Sequence, residues 1–427
     1  MIGARMHYAV PRILAQARQL ERFFTDLSAT HGWPRLLRLV PRALHPSGFN
    51  RLLSRVADGV PAERMKAFNN FGWTYARRRA RANNPSTMTQ TFLWANRRFG
   101  ELVCQSDWSR ASAVFTFNCA GLEILHRAKE MGLATVMEQT IAPSAIEQRL
   151  LQEEHELHPG WEQPLKDDYA AQYSQREQAE WPLADLILCG SEFVRDGIRQ
   201  CGGPVGKCVV VPYGVDVPEN SLESKVQSLE SHGQGAVRSF ITQPSTFNLQ
   251  PSIAPRPLRV LTVGAVGLRK GAPYVLEAAR RLKGKAQFRW VGAIHLLPEA
   301  AAGMAKHVEL MGTVPRPAMA AHYQWADVFL LPSICEGSAT ATYEALAHRL
   351  PVICTPNTGS MIRDGTDGLI VLVQNAGGLV TRVEKFAEDA ELRSRLADNA
   401  RNRAAEFTVA AYGQRLFAAL GALVANP

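Results

Sequence analysis

Short apolar runs recur along this chain, and many lead into segments whose apolar residues return every three or four positions. In the first half the runs are Ala113–Asn118, Ala134–Gln139, Ala184–Gly190 and Cys208–Pro212. Helical patterns follow at Gly121–Met131 and Ser191–Gln200. In the second half the runs are Leu258–Gly264, Gln287–Gly292, His307–Gly312, Ala326–Pro332, Pro351–Thr355 and Gly368–Val373. Helical patterns here are Ala272–Leu282, Pro317–Trp325 and Ala339–His348. Runs such as Val328–Leu331 are apolar throughout rather than alternating, as expected of parallel strands buried on both faces. Alternation of strand and helix predicts an α/β chain with parallel sheets.

Residues 219–257 break this pattern. They are rich in Ser, Gln and Pro and poor in large apolar residues, which reads as a linker or a poorly ordered insertion. The chain then divides into two Rossmann-like, doubly wound units, 1–218 and 258–405. A final helix within 406–427 is expected to return to the first unit. Two such units joined by a linker hold a ligand in the cleft between them. The first 105 residues read as helices Val10–Ala29, Pro61–Ala82 and Thr87–Cys104. A front strand is missing, and Gly3 reads as the end of the turn that would follow it. Either the unit lacks this strand or the start lies upstream.

Composition narrows the class. The chain has 427 residues, 46% of them apolar and 20% charged, which excludes wholesale disorder and a rod-like coiled coil. Seven cysteines without a Cys-x-x-Cys spacing argue against a disulfide framework or structural zinc, hence for a reducing cytoplasmic compartment. No apolar run is long enough to span a bilayer, and Met1–Arg5 does not open a signal peptide. Charge is uneven. Residues 1–100 hold 17 Arg and Lys against 4 Asp and Glu, whereas the rest holds 31 against 35. An anionic partner for the first region is expected.

Two motifs carry the chemistry. The first is Glu336-Gly337-Ser338-Ala339-Thr340-Ala341-Thr342-Tyr343-Glu344, between a strand and a helix. Glu336 belongs to the loop, Glu344 to the helix. Gly337, Ser338, Ala339 and Thr340 lie where free N–H groups favour an anion and small residues admit a ligand. The alternative is a plain cap, with Ser338 as N-cap and Glu336 favoured by the helix dipole. The second motif is Val263-Gly264-Ala265-Val266-Gly267-Leu268-Arg269-Lys270-Gly271. Glycines in a strand-to-helix turn followed by two cations suit a diphosphate. Solvated loop cations are the alternative. The spacing is neither a Walker A loop nor a Gly-x-Gly-x-x-Gly fingerprint.

Taken in order with Ser191-Glu192-Phe193-Val194-Arg195-Asp196, Val209–Asp216, Ala345–Val352 and Asp364–Gly368, these motifs resemble the retaining glycosyltransferases of family 4, which have the GT-B fold. The resemblance covers residues 184–427 apart from the insertion and is weak over the first 110. It implies that Arg269 and Lys270 hold a donor diphosphate and that Glu336 meets the transferred sugar. Glu344 would bind the ribose, and Thr313 and Val314 would border the base. Gly264, Gly267 and Gly337–Thr340 would complete the donor site. Two departures stand out. The family's Arg after the Val-Gly is Ala265 here, with Arg269 as the expected substitute. A histidine that the family often carries after a strand is replaced by Glu138, which would bind an acceptor hydroxyl or serve as a strand-end polar residue.

The implied enzyme is a hexosyltransferase that moves sugar from a nucleotide diphosphate donor to a glycan or lipid-linked acceptor in cell-surface polysaccharide or glycolipid synthesis. It would need no cofactor and no metal. Arg77-Arg78-Arg79-Ala80-Arg81 and Leu36–Leu44 mix cations with apolar residues, as segments that lie on an anionic bilayer do. This gives an expected place in the cytoplasm, peripheral on the inner face of the plasma membrane; a solvated helix face is the plainer alternative. Nucleic acid is not an expected partner, because the basic region carries no recognisable binding motif. Rival readings are a transferase for a small soluble acceptor and a non-catalytic, membrane-docked binding module.

Overall fold

The computed structural model describes residues 1–39, 52–53, 55–216 and 256–424. The 219–257 segment, save its last two residues, and the second half of Leu36–Leu44 lie outside the described residues. Two α/β units flank the cleft. In the second, six strands are all parallel: β7 (Leu258–Val263), β8 (Ala286–Val291), β9 (Val308–Leu310), β10 (Val328–Leu331), β11 (Val352–Cys354) and β12 (Gly368–Ile370). Their order is β12-β11-β10-β7-β8-β9. The order therefore reverses between β7 and β10, and the carboxyl ends at such a switch point open a crevice for ligand. Both motifs leave the sheet there, the glycine turn from β7 and the paired glutamates from β10. Val328, Phe329, Leu330 and Leu331 are wholly buried, which explains the uninterrupted apolar run.

The first unit has a four-stranded parallel sheet in the order β3 (Ala113–Phe117), β4 (Ala134–Gln139), β5 (Leu186–Cys189), β6 (Cys208–Val210). A separate parallel pair joins β1 (Phe23–Thr25) to β2 (Met65–Ala67). This pair corrects two expectations. The helix expected over Val10–Ala29 is only Ala9–Gln16, and the chain then turns through Arg18 at φ 58°. The helix expected over Pro61–Ala82 begins at Asn69, after a short 3-10 turn at Ala62–Arg64 and β2. Aromatic and β-prone Phe23-Phe24-Thr25 favours a strand once a partner is present; that partner is 42 residues away in Met65–Ala67 and invisible to local periodicity. No strand precedes Ala9–Gln16 among the described residues. Met1 instead lies along β1, donating from its terminal nitrogen to Phe24 O at 2.6 Å and accepting from Asp26 N at 3.3 Å.

Two contacts join the units away from the switch point. The helix Val409–Val424 comes back to the first unit, where Tyr412, Leu416 and Ala419 pack with Ala9, Val10 and Ile13. The helix Ser144–Leu157 and the loop after it reach from the first unit to the second. Glu154 accepts from Tyr274 Oη at 2.9 Å and Gln374 Nε2 at 2.7 Å, Glu162 from Leu268 N at 2.6 Å, and Leu297 N donates to Trp161 O at 2.7 Å. Buried carboxylates also fix the starts of two helices. Glu177 accepts from Ser144 N, and Glu180 from Cys119 N and Gly121 N, satisfying N–H groups that a helix start leaves free.

Candidate active site

At the switch point the glycine turn takes its shape from positive φ. Gly264 has φ 131° and Gly271 φ 77°, conformations that side chains resist. Lys270 folds back across the turn, and a Cβ at 264 would lie 2.9 Å from its Cε. Its Nζ is 2.6 Å from Glu336 Oε1. Arg269 donates from Nε to Cys335 O at 3.0 Å and pairs with Glu147 of the first unit at 3.3 Å. The two motifs, 66 residues apart between Arg269 and Cys335, thus form one charged cluster.

The plain-cap alternative fails at Ser338. The helix is Thr340–Ala347, its N-cap is Ala339, and no side chain caps it. Ser338 Oγ is engaged with Tyr343 Oη at 2.9 Å and Tyr213 N at 3.4 Å. Gly337 O accepts from Ser191 Oγ at 2.5 Å, so the small-residue loop is held by the first unit. The helix start remains free to face an anion. Glu344 sits one turn along, accepting from Tyr323 Oη at 2.8 Å, with Arg316 3.7 Å away. Val314 packs against the core that carries Tyr323, as do Met319 and Trp325, and Thr313 precedes it in the same loop. Gly267 backs onto Glu162.

Glu138 is the penultimate residue of β4 and is 2% exposed. Tyr213 Oη donates to its Oε1 at 2.6 Å, whereas Oε2 has no hydrogen-bond partner. Burial pushes the carboxyl up to about 7, against the pull of the Tyr213 hydroxyl and of Arg5. Through Tyr213 and Ser338 it is linked to the glutamate motif.

Four residues of this cluster escape sequence reasoning, Arg5, His7, Glu147 and Arg316, and Tyr213 falls in the Val209–Asp216 motif without a role assigned to it. Arg5 Nη1 donates to Thr140 Oγ1 at 2.6 Å, and Arg316 donates to His7 Nε2 at 2.7 Å. The segment between them is strained, because Met6, His7 and Tyr8 have φ of 45°, 50° and 61°. Each such residue costs about 1–3 kcal/mol. The one available signal was Gly3, a turn ahead of the first helix of a doubly wound unit, where ligands gather. Among the described residues, no group of three or more His, Cys, Asp or Glu is placed to hold a metal ion.

Two parallel α/β units that face each other, with cations and carboxylates gathered at the switch point, define a protein of the GT-B class. The fold matches HepE of Anabaena in complex with UDP, at TM-score 0.57 and 14% identity, over 97% of this chain and 95% of that one. It also matches sucrose-phosphate synthase from Thermosynechococcus elongatus, at TM-score 0.60 and 15% identity, over 99% and 94%. Residues 257–389, about a third of the chain, match the family described as glycosyl transferases group 1. The putative colanic acid biosynthesis glycosyltransferase WcaL of Salmonella typhimurium is 29% identical over 252 residues, 55% of each chain. Alpha-D-kanosaminyltransferase of Streptomyces kanamyceticus is 29% identical over 172 residues, 38% of this chain and 44% of that protein. The chain spans about half the length of these two relatives.

Proposed function

We propose that this chain is a retaining glycosyltransferase that moves a hexose from a nucleoside diphosphate sugar to a glycan or lipid-linked acceptor in cell-surface polysaccharide or glycolipid synthesis. The observation that carries this reading is the Lys270–Glu336 pair, 2.6 Å across the switch point. It sets a cation for a diphosphate beside a carboxylate for sugar hydroxyls. The relatives add weight: WcaL is named for colanic acid biosynthesis, and HepE was solved with UDP.

In the transfer, the bond from sugar C1 to the diphosphate oxygen breaks and its electron pair stays on that oxygen. C1 bonds to the acceptor oxygen on the same face, and the acceptor's proton passes to the leaving phosphate. Charge therefore builds on the diphosphate, where Lys270, Arg269 and the N–H groups that start Thr340–Ala347 are preorganised to meet it. Glu336 orients the sugar, Glu344 takes the ribose hydroxyls, and Thr313 and Val314 border the base. Glu138 lies on the acceptor side. No metal takes a role in this scheme. The enzyme works in the cytoplasm at the inner face of the plasma membrane, held there by its basic first hundred residues. No helix among the described residues is long and apolar enough to cross a membrane.

The test is a thermal-shift series with UDP, GDP, ADP and their glucose derivatives. One nucleotide should raise the melting temperature, since a ligand at a hundred times its Kd stabilises the native state by about 2.7 kcal/mol. A melting temperature unmoved by all of them, at millimolar concentration, would reject the donor site.

A further inference from the structure

Arg5 sits beside Thr140 of the first unit, on backbone held in an unfavourable shape. Three successive residues with side chains, Met6, His7 and Tyr8, occupy the left-handed region. Such strain persists where surrounding contacts impose it, and it gathers at binding and catalytic positions. Here the contacts come from both units. Arg5 Nη1 donates to Thr140 Oγ1 at 2.6 Å, and its guanidinium lies 5.4 Å from the centre of the Phe117 ring. His7 accepts from Arg316 of the second unit. Thr140 in turn abuts Gly337, where a Cβ would collide with the Thr140 carbonyl. The guanidinium is thus attached to a residue that touches the neighbour of Glu336.

The other cations of the site are already engaged. Lys270 is paired with Glu336, and Arg269 is shared between Glu147 and Cys335 O. Ala265, in the turn itself, has no charge. Arg5 is exposed and, among the described residues, has no carboxylate within ion-pair distance. A diphosphate carries more than one negative charge, and a planar guanidinium can meet two of its oxygens at once.

We propose that Arg5 is a further catalytic residue of the transfer, binding the donor diphosphate from the first unit. It rests on the glycosyl-transfer reading above. As the C1–oxygen bond breaks, the electron pair stays on the phosphate oxygen, and the acceptor proton follows to the same phosphate. Arg5 stabilises the charge in between, opposite Lys270. The strained segment fixes the guanidinium in this place before the donor arrives, so little reorganisation accompanies the reaction.

The experiment compares wild type, Arg5→Ala and Arg5→Lys by calorimetry and turnover. The probes are whichever of UDP, GDP and ADP stabilises wild type most, its monophosphate, and its glucose derivative. In Arg5→Ala the diphosphate should bind about tenfold more weakly or worse, the monophosphate should change little, and kcat should fall more than KM rises. Arg5→Lys, which keeps the charge but not the fork, should recover part of the loss. Diphosphate affinity and turnover equal to wild type in Arg5→Ala would overturn the role of Arg5 and leave the transfer reading intact. Equal losses for diphosphate and monophosphate with a lowered melting temperature would also overturn it, since that marks a structural residue. A wild type that binds none of the three diphosphates overturns both readings.

Discussion

Glu138 is a carboxyl at the end of an inner strand, with Tyr213 on one oxygen and no hydrogen-bond partner on the other. Its ionisation is displaced to about 7 by burial. An acid whose folded value lies above the ordinary range stabilises the fold when protonated. That stability is full below the unfolded value near 4.5 and is lost as pH rises through about 7. Wild type should therefore lose roughly 3 kcal/mol through this group between pH 4.5 and 8. Glu180, pushed up to about 8 by burial, titrates with the same sign. Glu138→Gln keeps an acceptor for Tyr213 and should flatten only its own share of the decline. Urea unfolding across this pH range would show it; parallel curves for the two proteins would place the ionisation of Glu138 elsewhere. The other carboxylates bear on metal use. Glu336 faces Lys270, Glu147 faces Arg269 and Glu344 faces Arg316. Each of the three has a cation beside it, so none of them is free to hold a diphosphate-bound Mg²⁺. Sugar transfer should persist in EDTA and gain little from added Mg²⁺ or Mn²⁺. Activity abolished by EDTA and restored by either ion would contradict this.

The helix Asn69–Arg81 shows how one element divides its residues. Asn69, Phe71 and Gly72 are buried, whereas Trp73 is exposed beside Trp33, the two rings 5.9 Å apart. Arg78 lies over the Trp94 ring at 4.0 Å and Arg79 over Tyr75 at 5.7 Å. Arg77 and Arg81 follow Trp73 at four-residue steps and share its outer face. A tryptophan with cations in line suits an anionic bilayer surface, where each cation adds about 1 kcal/mol. Replacing Arg77 and Arg81 by Gln should cut recovery on anionic liposomes at low salt, and neutral liposomes should recover little of either protein. Binding by wild type should weaken steeply toward 1 M salt, where the Debye length falls to ~3 Å. Equal recovery on neutral and anionic vesicles would assign the charge to another anion.

At the scale of the whole molecule, the arm from Ser144 to Glu162 ties the units together through Glu147, Glu154 and Glu162. Glu154 is fully buried and accepts from Tyr274 and Gln374 of the opposite unit. Glu154→Ala would leave Gln374 without its acceptor and Tyr274 with only His158 Nε2 at 3.2 Å, at a cost of about 1–3 kcal/mol for a group left unpaired. The variant should unfold at lower urea, with the two units losing their joint transition. An unchanged midpoint would mean that the arm does not couple them. Legibility in the sequence follows the range of the interactions. Parallel strands buried on both faces must be apolar throughout, which made β5, β10 and β11 plain in the sequence; the more polar strands between β3 and β12 were legible from their alternation with helical patterns. Gly264, Arg269, Lys270, Glu336 and Glu344 were legible for a related reason, since a strand-to-helix turn keeps its chemistry within a few residues. The strand pair Phe23–Thr25 and Met65–Ala67 was not, because each half is too short to reveal itself without the other. Nor was the cleft. Arg5, Glu147 and Tyr213 meet the motifs only after the chain has crossed from one unit to the other. Sequence determined the strands and helices of the two parallel sheets and the two motifs; tertiary structure alone decided the β1–β2 pairing and which distant side chains share the motifs' charge, because those contacts depend on segments far apart in the chain and leave no local pattern.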